Sequence, residues 1–173
     1  MEQKMDRDIN LKFDEALENL KKELPNEMVS GCAEATMRHV LKILGIEISL
    51  IDNIMISLSG GLGGYKSEKG WTGPCGAVVG GCGCVGAILG GMEKMASKNV
   101  LPSYLKSAQF AKEFEKEFGS VRCSDLVGFD FSDPNQIMEY MNEGVWAKKC
   151  YKYVLWAIDN VRRLMKKELK RNW

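Results

Sequence analysis

The stretch GPCGAVVGGCGCVGAILGG, Gly73 to Gly91, constrains the fold more than any other part of the chain. It belongs to an uncharged run from Gly70 to Met92 in which nine residues are glycine. Such a run is long enough to cross about 30 Å of hydrocarbon. Its Leu, Ile and Phe content is too low to gain much by insertion, and Pro74 interrupts it, so a membrane span is not expected. A phosphate loop is not expected either. GxGxxG occurs at Gly81, Gly83 and Gly86, but no strand precedes it and no Walker lysine–serine pair follows. What remains is a buried helix. Gly76, Gly80, Gly83, Gly86 and Gly90 recur at steps of four, three, three and four, which draws a groove free of side chains down one face. Each glycine costs a helix about 1 kcal/mol relative to alanine. That cost is tolerated where another backbone, or a bulky cofactor, must come close. The spacing favours close helix packing, with room for an inorganic cluster as the sharper alternative.

Elsewhere the chain reads as amphipathic helices, with no alternating strand pattern of useful length and no internal repeat. From Asp8 to Leu24, the residues Phe13, Ala16, Leu17, Leu20 and Leu24 share one stripe, and Pro25 stops the helix. Ser30 reads as the N-cap of a second helix through Leu44, closed by Gly45. Ser49 caps a third, with Leu50, Ile51, Ile54, Met55 and Leu58 as its predicted buried face. SGGLGGYKSEKGWTG, Ser59 to Gly73, is too glycine-rich for regular structure and reads as a loop. Pro74 suits the first turn of the glycine-rich helix, which is predicted to reach about Met95. A fifth helix follows Pro102, carries Phe110, Phe114 and Phe118, and ends at Gly119. SVRCSDLVGFDFSD is a loop or short turn. Asp133 and Pro134 open a short sixth helix that closes at Gly144. The last runs from about Val145 to the C-terminus. Trp146, Cys150, Val154, Ala157, Val161 and Leu164 share one of its faces, and its basic end suits the helix dipole. The expected fold is all-α: one domain of six or seven helices around the glycine-rich central helix.

The net charge is +1, so no global field points to nucleic acid or acidic lipid. Apolar residues make up 45% and charged residues 27%, the balance of a soluble chain. The opening MEQKMDRDINLKFDEALENL lacks the apolar core and cleavage site of a secretory signal, so the expected location is the cytoplasm. Thiols stay mostly reduced there, and six cysteines then argue for metal binding or redox chemistry over disulfide stapling.

Cys32 follows the predicted cap Ser30, and Cys75 follows Pro74, so both are expected in the first turn of a helix. Free backbone N–H groups and the positive dipole end favour a thiolate there, the form that attacks disulfides and ligates metals. Cys123 lies in a loop and Cys150 on the apolar face of the last helix. Cys82 is about 10.5 Å beyond Cys75 along the helix, and Cys84 faces the opposite side. Both read as small apolar packers. No pair has the C-x-x-C spacing of zinc ribbons or thioredoxin-like motifs, and there is no ferredoxin run.

Four cysteine contexts resemble the C_GCAxxG_C_C family of small redox-active proteins. They are CGAVVGG at Cys75, GCAEATM at Cys32, RCSDLVGFDFSD at Cys123 and AKKCYKYVLWAIDNV at Cys150. The resemblance runs from about residue 28 to 161, with residues 1–27 as an added helix and 162–173 as a basic tail. It implies an all-helical domain acting beside oxidoreductases and transporters in anaerobic or metal-reducing bacteria. A similar domain occurs in split-Soret cytochromes, where an iron–sulfur centre accompanies haem. The chain has no CxxCH and a single histidine, His39, so covalent haem is not carried over.

On that resemblance, Cys32, Cys75, Cys123 and Cys150 are the expected ligands of a [2Fe–2S] or [4Fe–4S] cluster. Gly76 and Gly80 would give it space. His39, two turns after Cys32, would tune it by hydrogen bonding, although a satisfied half-buried histidine is the plainer reading. The alternatives are dithiol–disulfide exchange at Cys32 and Cys75, or a structural zinc on the same four sulfurs. The expected function is electron transfer or a redox accessory role beside an oxidoreductase partner, as a homodimer. No paired acid–base constellation suggests a substrate-converting enzyme. Tyr65 and Trp71 close a pocket or shield the core. Phe110, Phe114 and Phe118 are core or a dimer face.

Overall fold

The computed structural model describes residues 2–27 and 31–173, with side chains from Ile9 onward. The first helix, α1 (Glu2–Glu23), buries Ile9, Phe13, Leu17 and Leu20 along the expected stripe. It runs into a short 3-10 turn, Leu24–Asn26, where Pro25 ends it. The predicted cap Ser30 lies outside the described residues. Helix α2 (Cys32–Ile43) starts after Gly31 and is closed at Gly45, whose φ of 77° a residue with a side chain rarely adopts.

Helix α3 (Ser49–Ile56) corrects the predicted face. Met55 is buried, whereas Leu50 is 66% and Ile54 50% exposed. Ser49 is the first helical residue, and Ile48 stands at the cap position. The reason is neighbourhood: α3 packs chiefly on α2, so only a narrow stripe of it can be covered.

Next comes a turn that wraps the opposite way. Gly60, Gly61, Leu62, Gly63 and Gly64 all have φ between 58° and 81°, and Leu62 is the only non-glycine with positive φ among the described residues. The glycine-rich loop is thus a left-handed turn followed by a small hairpin-like closure at Lys66 and Thr72. Tyr65 and Trp71 stack at 5.6 Å but stay about half exposed, so they do not shield the core.

The central helix, α4 (Gly76–Gly90), is shorter than predicted. Pro74 stands outside it, bridged to Arg122, and Gly91 at φ 70° ends it well before Met95. Its glycines serve packing. A Cβ on Gly80 would lie 2.7 Å from the Ala33 carbonyl oxygen, and one on Gly76 2.8 Å from the Ala33 nitrogen. Helix α2 therefore rests directly on the α4 backbone. On another side, the Phe110 ring covers Gly81.

Helix α5 (Ser97–Phe118) begins ahead of Pro102 rather than after it. The missing amide of Pro102 removes a single early bond, which a long helix tolerates. The Asn99 side chain donates to the Leu89 carbonyl at 2.9 Å, tying the start of α5 to the end of α4. Gly119 ends α5 as expected. Phe110 and Phe114 are fully buried, and Phe114 and Phe118 meet Tyr153 and Trp156 edge-on, so this stripe is core.

The segment after α5 holds a five-residue helix, α6 (Cys123–Val127), closed by Gly128. Helix α7 (Pro134–Asn142) is capped by Asp133, which accepts from the Asn135 amide. The last predicted helix is broken in two places. A π-helical turn, Trp146–Cys150, leads into α8 (Tyr151–Leu164), and a kink at Met165 precedes α9 (Lys166–Asn172). The kink turns Met165 and Leu169 inward, so α9 packs on α1 and α4. The fold is all-α, with isolated bridges but no strand among the described residues. Among those residues no helix is long and apolar enough to cross a membrane.

Candidate redox centre

Four cysteines from distant parts of the chain meet at one end of α2 and α4. Cys32 is the first residue of α2, Cys75 the N-cap of α4, Cys123 the first residue of α6, and Cys150 closes the π-helical turn. Each position has a local cause. The Cys75 amide donates to the Val121 carbonyl at 2.7 Å and the Cys123 amide to the Gly73 carbonyl at 3.1 Å, so these two segments lie side by side. A Cβ on Gly76 would lie 3.1 Å from the Cys32 Cβ, which brings the starts of α2 and α4 together. Ser59 accepts from the free amide of Ala33 and donates to the Met55 carbonyl, pinning the left-handed turn to the first turn of α2. Gly31 leaves room for it, since a Cβ there would strike the Ser59 hydroxyl. The Trp146 indole donates to the Leu24 carbonyl at 2.6 Å and fixes the π turn against the end of α1.

All six cysteines are thiols. The Cys32 thiol is within hydrogen-bonding range of Cys150, and the Tyr140 hydroxyl stands 3.3 Å from the Cys150 sulfur. A charge on Cys150 opposes a charge on Cys75 and on Cys123 as well, so all four thiols share one electrostatic neighbourhood. Hydrogen bonds from Cys32 and then Tyr140, with help from the Lys149 charge, hold Cys150 below the ordinary thiol range despite its burial. Cys32 is pushed well up, first by giving its hydrogen to Cys150 and then by burial. Burial pushes Cys75 up to about 12, against the amides of Ala77 and Val78, which point at its sulfur. Burial also raises Cys123. Burial and the Cys150 contact thus oppose thiolates at Cys32 and Cys75, the two positions where helix starts were expected to favour them. At Cys75 removal from water outweighs the amides at the helix start, at Cys32 the hydrogen given to Cys150 is the larger cause, and Cys150 is the side favoured as the anion.

A cleft of about 450 Å³ opens over Cys32, Cys123 and Cys150, lined otherwise mainly by apolar groups such as Val127, Phe131 and Trp146. Cys75 lies below it, 3% exposed. Among the described residues, no group of three or more His, Cys, Asp and Glu side chains is placed to hold a metal ion.

The remaining predicted site residues lie elsewhere. Gly76 and Gly80 face the α2 backbone and do not line the cleft. His39 points away from the thiols, its Nε2 3.4 Å from Glu27 Oε2 without a well-aligned hydrogen bond. Cys82 reaches the Ser107 carbonyl and Cys84 is wholly buried near Thr36, so both are packers as read. The sequence reading did not single out Tyr140 or Ser59, because no spacing rule marks a hydroxyl that reaches its target only through the fold.

Residues 30–164 match the family described as "Putative redox-active protein (C_GCAxxG_C_C)". No curated protein and no solved structure matches the chain. The matched residues make up most of the chain and include all four converging cysteines, so the protein belongs to the C_GCAxxG_C_C family.

Proposed function

We propose that Cys32, Cys75, Cys123 and Cys150 ligate one iron–sulfur cluster, and that the protein transfers electrons for a partner oxidoreductase. The convergence of these four thiols carries the reading. Four thiolates are the usual ligand set of such clusters. The bound cluster would supply storage for one electron. The chain's own part is to bind it through the four sulfurs, which release their protons on loading. The Ala77 and Val78 amides at Cys75 offset negative charge, and Phe131, Val127 and Trp146 keep water from the open side.

Contact between Cys32 and Cys150 favours a second reading, dithiol–disulfide exchange. The Cys150 thiolate attacks a disulfide of a partner protein and expels one partner thiolate. The Cys32 thiolate then displaces the other, so the partner gains two electrons and the chain keeps a Cys32–Cys150 disulfide. The pair differs from the predicted Cys32 and Cys75 because Cys150, not Cys75, meets the Cys32 sulfur.

Iron, acid-labile sulfide and visible absorption on anaerobically purified protein separate the readings. The cluster predicts colour, and loss of iron on changing any of the four cysteines to serine, with Cys82→Ala retaining it. A colourless, metal-free protein that forms a Cys32–Cys150 disulfide on mild oxidation overturns the cluster and leaves the exchange reading. The proposal also places the protein in the reducing cytoplasm as a homodimer. The exposed Leu101, Tyr104 and Leu105 on α5 support the dimer, and light scattering tests it.

A further inference from the structure

We propose that Tyr140 sets the electron affinity of the centre by donating its hydroxyl hydrogen bond to the Cys150 sulfur. This inference rests on the cluster reading above. The hydroxyl oxygen is 3.3 Å from the sulfur. Between a hydroxyl and a protonated thiol either atom can donate, but a metal-bound sulfur has lost its proton, so the direction is then fixed from tyrosine to sulfur.

The ring is held for this contact. Phe131 meets it edge-on at 4.9 Å and Phe129 at 6.1 Å, with interplanar angles of 79° and 84°. The segment carrying both phenylalanines is tied to α7, because the Asp130 amide donates to Gln136 at 2.8 Å. Lys66 pairs with Asp130 at 2.5 Å and links the same segment to the hairpin after the left-handed turn. Neighbouring hydroxyls are committed elsewhere. Ser59 serves Ala33 and Met55, and Tyr153 donates to the Leu126 carbonyl at 3.2 Å.

One electron from the partner oxidoreductase makes the bound centre more negative by one unit, with no bond made or broken. A donor aimed at a ligand sulfur favours that more negative state, so it raises the potential. Tyr140 acts through Cys150 and is a positioning residue, not a ligand.

The test is Tyr140→Phe, which keeps the ring in its aromatic cage, beside Tyr153→Phe as the matched control. In anaerobic redox titration, Tyr140→Phe is expected to carry wild-type iron and sulfide with its midpoint shifted to lower potential. Tyr153→Phe is expected to leave the midpoint in place. An unchanged midpoint in Tyr140→Phe, or an equal shift in both variants, overturns the inference while the cluster reading stands. If the wild-type protein holds no cluster, the cluster reading and this inference fail together.

Discussion

Changing Gly80 to alanine tests the close approach of α2 to the α4 backbone. The new Cβ would lie 2.7 Å from the Ala33 carbonyl oxygen, 2.8 Å from the Thr36 Cβ and 3.2 Å from the Ala33 Cα. Ordinary contact begins near 3.4 Å, so α2 must retreat by about 0.7 Å (3.4 minus 2.7). It has little freedom to do so. Two of the three atoms are backbone, and Thr36 is fully buried with its hydroxyl donating to the Cys32 carbonyl at 2.8 Å. Overpacking costs about 1–3 kcal/mol, about 2–3 where backbone must shift as here, and alanine returns about 1 kcal/mol of helix propensity. The expected net loss is about 1–2 kcal/mol, or a fall in Tm of about 2–8 °C for a chain of this size. Gly86→Ala, in the same helix, is the internal control. Its nearest neighbour is the Ser103 hydroxyl at 4.0 Å, so propensity alone acts and the variant should gain about 0.5–1 kcal/mol. Urea unfolding followed by circular dichroism, in one metal state, measures both. Equal signs, or a Gly80→Ala protein as stable as wild type, would refute the argument that α2 lies directly on this glycine.

Phe110→Ala empties a fully buried site against Gly81 and should cost about 3–5 kcal/mol, read from the same urea curves. His39 is held below its ordinary value, first by burial and then by the Arg38 charge, with Glu27 opposing. The unfolded chain therefore takes up the proton more readily than the folded one. The stability from this group is complete above about pH 6.5 and is lost as pH falls through that lowered value, so His39→Gln should flatten the acid side of a pH–stability profile.

Boundaries with a local steric cause were readable from the residues. Gly45 and Gly119 end helices, and Asp133 with Pro134 starts one, because the reason lies within a few bonds. What depended on neighbours was not readable. The apolar residues of α3 match a buried stripe, but α2 is the main element there to cover them. Pro102 looks like a boundary, yet a helix of 22 residues absorbs one missing amide. The handedness of the turn at Leu62 has no mark beyond glycine content. At the site, the four cysteines were named through family resemblance, not spacing. Which sulfur meets which follows from the π-helical turn before Cys150, one extra residue that periodicity does not reveal. Tyr140 sits on an ordinary short helix and gains meaning only from the loop that cages it.

The sulfurs that meet are contributed by four segments with whole helices between them. Individual helices can form while the chain is still emerging from the ribosome, but Cys150 is synthesised last of the four, and its π turn anchors back onto Leu24. A nascent chain halted short of that point would hold secondary structure and lack the fourth thiol. On the cluster reading proposed above, a four-ligand centre can therefore be completed only after synthesis has passed Cys150, which makes its loading a late checkpoint.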